Sequence, residues 1–185
     1  MKKVHFLAVA VIFCLGMVLL SCASIPPAET READNTTAKV YFIMPNKGIT
    51  FSGGGLSFGN KFNIWDSDTF ISTIGKREFL MLNFKAGTHF FMASGGNWYI
   101  VQAELAAGKS YFFEVITLPG FRTASVALKS IDPNDPELDK YLDVSKEVSP
   151  TGKVSESMVK EAAKELSEAR GGSQNIDVVP ASKGR

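Results

Sequence analysis

The chain has 185 residues, of which 45% are hydrophobic, enough for one domain with a real core and short for several. Its 20 basic and 19 acidic side chains nearly cancel, which excludes the electrostatic footprint of a nucleic-acid binder. With two cysteines and two histidines, a metal cluster or disulfide framework has little to build on.

Met1-Lys2-Lys3 gives a positive start, and an apolar run from Phe6 to Leu20, broken only by Gly16, leads to a small residue before Cys22. This is the three-part pattern of a signal peptide over residues 1–21. A spanning helix needs about 20 apolar residues, so a transmembrane anchor is the weaker reading. The ending Leu19-Leu20-Ser21-Cys22 resembles the lipobox of bacterial lipoproteins. What the resemblance implies is a diacylglycerol thioether on Cys22, cleavage before it, and acylation of the new amino terminus; the alternative is an ordinary cleavable signal with a chance cysteine.

Burying acyl chains contributes about 0.8 kcal/mol per methylene, so three chains hold a protein to a bilayer permanently. Cys14 falls in the discarded signal and Cys22 becomes a thioether, which leaves no thiol for a disulfide, a metal or nucleophilic catalysis. Loss of Lys2 and Lys3 leaves 18 basic against 19 acidic residues. Ala23 and Ser24 stand where lipoproteins kept at the inner membrane usually carry aspartate, so the resemblance implies the outer membrane. Residues 22–37, rich in Pro, Ala, Glu, Asp, Asn and Thr, read as a flexible tether.

The folded body is expected over residues 38–148 as an all-β, antiparallel β-sandwich of about seven to eight strands. Lys39 to Met44 alternates, with Val40, Phe42 and Met44 on one face. Lys61 to Asp66 and Thr69 to Ile74 flank the turn Asp66-Ser67-Asp68. Arg77 to Phe84 is apolar on both faces, as in a central strand. Thr88 to Ser94, Trp98 to Leu105, Tyr111 to Leu118 and Ala124 to Ile131 complete the series. Gly87 and Gly108 each lie between apolar strands, where a hairpin commonly needs a positive φ. Tyr111 opens a strand and is expected to bond back across the preceding turn, as a tyrosine corner does.

Three stretches carry a second resemblance: Val40-Tyr41-Phe42-Ile43-Met44-Pro45, Ala86-Gly87-Thr88-His89 and Ala107-Gly108-Lys109-Ser110-Tyr111-Phe112. In order and spacing they are similar to bacterial lipoproteins of domain-of-unknown-function family two-eight-four-six. Where that family's first strand usually ends in Arg-Pro, this chain has Met44-Pro45. The resemblance implies a compact β-sandwich on a lipoprotein, with no established activity.

Candidate contact residues are few. Residues 49–59 form a glycine-rich insertion that offers Phe51, Leu56 and Phe58 but lacks the Gly-Lys-Ser/Thr ending and following helix of a phosphate cradle. It reads as a mobile hairpin loop or, more sharply, as a loop offering its apolar residues to a partner or lipid. Tyr41, Trp65 and Trp98 fall on strand faces opposite the core positions. They either stack on a sugar ring or, as the preferred reading has it, pack under a loop or the C-terminal helix. His89, the histidine outside the signal, cannot build a metal site alone and has no Gly-x-Ser-x-Gly elbow beside it. It is expected to be a strand residue satisfied by a neighbouring carbonyl.

Asp135-Pro136-Glu137 looks like a helix start, giving a short helix over Pro136 to Leu142. Asp132, Asp135, Glu137 and Asp139 lack the glycine and distant glutamate of an EF-hand. Residues 149–170 read as a linker and a surface helix from Ser155 to Arg170. Glu156/Lys160 and Lys164/Glu168 pair at four-residue spacing, Met158, Val159, Ala162, Ala163 and Leu166 form a narrow stripe, and Gly171-Gly172 stops it. Residues 171–185 are expected to be a disordered tail.

No catalytic constellation, metal set or cofactor motif can be assembled from these residues. The reading is therefore a noncatalytic envelope lipoprotein, held to the membrane through lipidated Cys22 and acting as a binding or scaffold module for another envelope protein. The alternative is a glycan- or lipid-binding module that uses Tyr41, Trp65, Trp98 and the glycine-rich loop with Phe51 and Phe58.

Overall fold

The structure is a computed structural model and describes residues 36–45, 61–118, 124–172 and 176–185. The signal, almost all of the tether, and the glycine-rich insertion with Phe51 and Phe58 lie outside the described residues. The strands in chain order are β1 (Thr37–Met44), β2 (Lys61–Asp66), β3 (Thr69–Gly75), β4 (Glu78–Lys85), β5 (Gly87–Ser94), β6 (Trp98–Leu105), β7 (Ser110–Leu118), β8 (Ser125–Ile131), β9 (Lys146–Glu147) and β10 (Asp177–Val179). The helices are α1 (Leu138–Asp143) and α2 (Glu156–Arg170). The strands form two five-stranded sheets, ordered β8-β7-β1-β4-β9 and β10-β6-β5-β2-β3. This is a sandwich-like all-β fold.

Period-2 alternation decides which side chains meet between the sheets. Val40, Phe42 and Met44 of β1 are fully buried, as are Leu80 of β4, Phe91 of β5, Val101 and Ala103 of β6, and Phe113 of β7. Four phenyl rings hold the centre. Phe42 meets Phe91 edge-on at 5.2 Å and stacks with Phe113 at 5.7 Å, while Phe84 packs on Phe91 at 5.0 Å. Such pairs add about 0.5–1.5 kcal/mol each beyond area burial.

Three pairings run parallel, β1 with β7, β4 with β9 and β6 with β10, so the sheets are mixed where antiparallel pairing was expected. For β1 and β7 the connection runs through a glycine corner, whereas β9 and β10 reach their sheets after helices α1 and α2 respectively. Gly108 has φ +73° and Gly87 φ +136°, which makes the expected positive φ correct, but neither closes a hairpin. Each corner carries the chain from one sheet to the other, and after Gly108 strand β7 arrives beside β1 and runs with it. A Cβ built on either glycine would meet nothing within 4 Å, so the backbone angle selects glycine there, not lack of space.

Strand β4 lies between β1 and the two-residue β9, so it is flanked on both sides as expected, although β9 pairs only with Glu78 and Phe79. Its second apolar face is covered by a helix. Ile43, Phe112, Ile131 and Leu138 form a buried cluster outside the first sheet, with Tyr41, Phe79, Tyr141 and Leu142 against it. Helix α1 begins two residues later than expected. The Asp135 carboxylate accepts from the Glu137 amide at 2.9 Å and its carbonyl accepts from the Leu138 amide at 3.0 Å, so Asp135-Pro136-Glu137 is a turn that launches the helix.

Helix α2 fits its expected limits. The Ser155 hydroxyl accepts from the Met158 amide, and Glu156–Lys160 and Lys164–Glu168 lie at 2.9 and 3.6 Å. Its buried positions are Ala162, Leu166 and Ala169, so the stripe is rotated away from Val159 and Ala163. The tail departs furthest from expectation. Its described part, residues 176–185, is ordered as β10 and a turn of 3-10 helix over Ala181–Lys183. A strand of three residues is too short for a periodic signal, but main-chain bonds to β6 and β7 and the buried Val179 hold the segment in place.

Candidate functional site

The aromatic candidates separate onto opposite faces. On the outer face of the second sheet, Trp65 of β2 is fully buried among Phe70, Met92, Ile100, Ala162, Leu166 and Ala169. Its indole Nε1 donates to the Ser94 hydroxyl at 3.1 Å, and its ring lies 5.4 Å from Trp98 and 5.2 Å from Phe70. Trp98 is half-buried, and its Nε1 donates to the Glu161 carboxylate of α2 at 3.1 Å. Arg170 lies 4.3 Å above the Phe90 ring. The packing of both tryptophans under the C-terminal helix thus matches the preferred sequence reading, and Trp65 has no surface to offer a sugar.

Tyr41 lies on the other sheet. It stacks on Phe112 at 4.8 Å, and Arg185 sits 5.1 Å over that same ring. Burial pushes the Tyr41 hydroxyl pKa up, with Glu147 adding to the shift and Arg185 opposing it. Tyr41 and the tryptophan pair therefore do not form one platform.

His89 is placed where the sheets join. Its Nδ1 lies 2.9 Å from Asp66 Oδ2 of β2, and its Nε2 lies 2.9 Å from the Lys85 carbonyl at the β4–β5 corner. Both partners are acceptors, so His89 donates from both ring nitrogens when it is protonated. The ring stacks on Phe91 at 5.6 Å and meets Phe84 edge-on at 5.3 Å. The Asp66 hydrogen bond raises the histidine pKa above 6.5, burial opposes it, and the Asp66 charge, the Lys85 carbonyl and Glu104 add to the rise. The carbonyl partner was expected from sequence and Asp66 was not. Asp66 ends a strand 23 positions away, and only the β2–β5 register, which aligns Asp66 with Phe91, brings it to the ring. In its protonated form the ring clasps the end of β2 to the β4–β5 corner through both nitrogens.

Tyr111 makes the corner bond expected of it. Its hydroxyl accepts from the Ala106 amide at 2.8 Å and donates to the Ala181 carbonyl at 3.1 Å. A second tyrosine contact carried no sequence signal. Tyr99 of β6 donates to Asp177 at 2.5 Å, and that bond, with burial and the carboxylate charge, pushes its pKa up to about 12.

Among the described residues, no group of three His, Cys, Asp or Glu side chains is placed to hold a metal, and no helix is long and apolar enough to cross a membrane. No protein-family model, curated protein or solved structure matches this chain.

Proposed function

We propose that this chain is a noncatalytic envelope lipoprotein, anchored through a lipidated Cys22 at the outer membrane and presenting its sandwich as a binding or scaffold module. The kinship implied by the second resemblance, to lipoproteins of domain-of-unknown-function family two-eight-four-six, is part of the same proposal. The observation that carries the reading is the sequence Leu19-Leu20-Ser21-Cys22 at the end of a charged-then-apolar start, with the first strand beginning only at Thr37. Residues 23–36 between them have the composition of a spacer.

The internal chemistry supports a binding role over catalysis. His89, Tyr99, Tyr111 and Trp65 each spend their polar atoms on partners within the domain. The test is detergent-phase partition and envelope crosslinking of the unaltered chain beside Cys22→Ser. The unaltered chain is expected in the detergent phase with a crosslinked envelope protein, and Cys22→Ser in the aqueous phase. Equal partition of the two would overturn the anchor, and crosslinks to glycan or lipid alone would overturn the protein-scaffold role.

A further inference from the structure

The segment after α2 shows a mode of binding that nothing in its composition suggests. Residues Asp177, Val178 and Val179 pair in parallel with Val101, Gln102 and Ala103 at the outer edge of the second sheet. Residues two apart in a strand share a face, so Asp177 and Val179 both turn toward the domain. Asp177 accepts from the Tyr99 hydroxyl at 2.5 Å, and Val179 joins the core beside Val101 and Ala103 at 6% exposure. Val178, between them, is 61% exposed. The chain then passes the Tyr111 hydroxyl, which donates to the Ala181 carbonyl.

The seat is therefore made of a strand edge, a valine-sized slot in the core, and two tyrosine hydroxyls that receive a carboxylate and a carbonyl. Among the described residues, three of the eight residues of β6 are paired on this side. The occupant is joined to α2 through Gly171-Gly172, with Gly172 at φ +82°.

We propose that this edge of β6 is a strand-accepting site for an extended segment of a partner protein. The fitting segment carries a carboxylate, any residue, then valine or isoleucine, and residues 176–185 occupy the seat in the resting chain. Strand addition suits this geometry because main-chain bonds supply affinity at any sequence while alternate side chains supply specificity. The inference adds a surface to the binding-module reading and is independent of Cys22, so its failure would leave the anchor untouched.

The test uses the full chain in detergent. Val179→Asp puts a charge in the slot and unseats the resident strand. A fluorescent peptide of residues 176–183 is expected to bind this variant, and to bind the unaltered chain about tenfold or more weakly, because a tethered segment competes at an effective concentration of about millimolar. The same peptide with Asp177→Asn is expected to lose most of its binding. A folded Val179→Asp variant that ignores the peptide would overturn the proposal. A dimer of the unaltered chain that the peptide dissociates would do so too, by making a second copy the occupant. Should Val179→Asp not fold, Tyr99→Phe gives a separate reading: amide exchange at residues 177–179 is expected to accelerate about tenfold while β5 amides hold their rate. Equal protection of tail and core in that variant would make the tail an integral strand and overturn the site.

Discussion

The outer faces of the two sheets are covered in different ways. Outside the first sheet, α1 follows closely on β8 and lays Leu138 into a cluster with Ile43, Phe112 and Ile131. Outside the second sheet, α2 arrives after a stretch with little regular structure and sets Ala162, Leu166 and Ala169 against Trp65, Phe70, Met92 and Ile100. Large aromatic side chains on the sheet meet small ones on the helix, so the surfaces interdigitate without a wide apolar stripe on α2. The narrow stripe, which alone reads as weak docking, is matched to an aromatic face and needs no greater width.

Substitutions on the two faces should separate these arrangements. The largest effect is expected from Trp65→Ala, at about 3–5 kcal/mol of unfolding free energy, because a fully buried indole leaves a cavity and an unpaired Ser94 hydroxyl. Urea denaturation measures it directly. Leu138→Ala and Leu166→Ala are each expected to cost about 2–5 kcal/mol. Only Leu166→Ala should also shift the tryptophan emission of the native state to longer wavelength, since both tryptophans lie beneath α2 and neither lies near α1.

At the joint between the sheets the expected signature is pH dependence. His89 gains Asp66 and the Lys85 carbonyl on folding, and its pKa rises above 6.5. Its contribution is therefore complete below about pH 6.5 and is lost as the pH rises through the raised folded value, with no further change above it. Urea midpoints should fall across that window in the unaltered chain and stay level in His89→Gln. The smallest effect belongs to the solvent side of α2, where Lys160→Gln removes the exposed pair with Glu156 and is expected to cost about 0.3–0.5 kcal/mol. A larger loss would mean that the exposed side of α2 bears more of the docking than its packed side.

Much of this fold was legible from strand periodicity. The alternation in Val40, Phe42 and Met44, the Asp66-Ser67-Asp68 turn, the Tyr111 corner bond and the limits of α2 all follow from local rules. What stayed hidden was non-local. Alternation cannot tell a hairpin from a sheet-changing corner, so Gly87 and Gly108 gave the right backbone angle and the wrong connection. The parallel seat of β10 depends on Tyr99 and the edge of β6 meeting Asp177 and Val179, which lie more than seventy positions further along the chain, and a three-residue strand carries no periodic signal, so the tail read as disordered. Asp66 reached His89 through register alone. For Tyr41, Trp65 and Trp98, sequence placed them off the core face but could not tell that two share one helix-covered face and the third lies on the opposite side.

The measurement that tests the central claim most directly is the intact mass of the chain extracted from envelopes. The account predicts a polypeptide that begins at Cys22 and carries a diacylglycerol group on sulfur and an acyl group on its amino terminus. An unmodified chain, or one beginning anywhere other than Cys22, would contradict it.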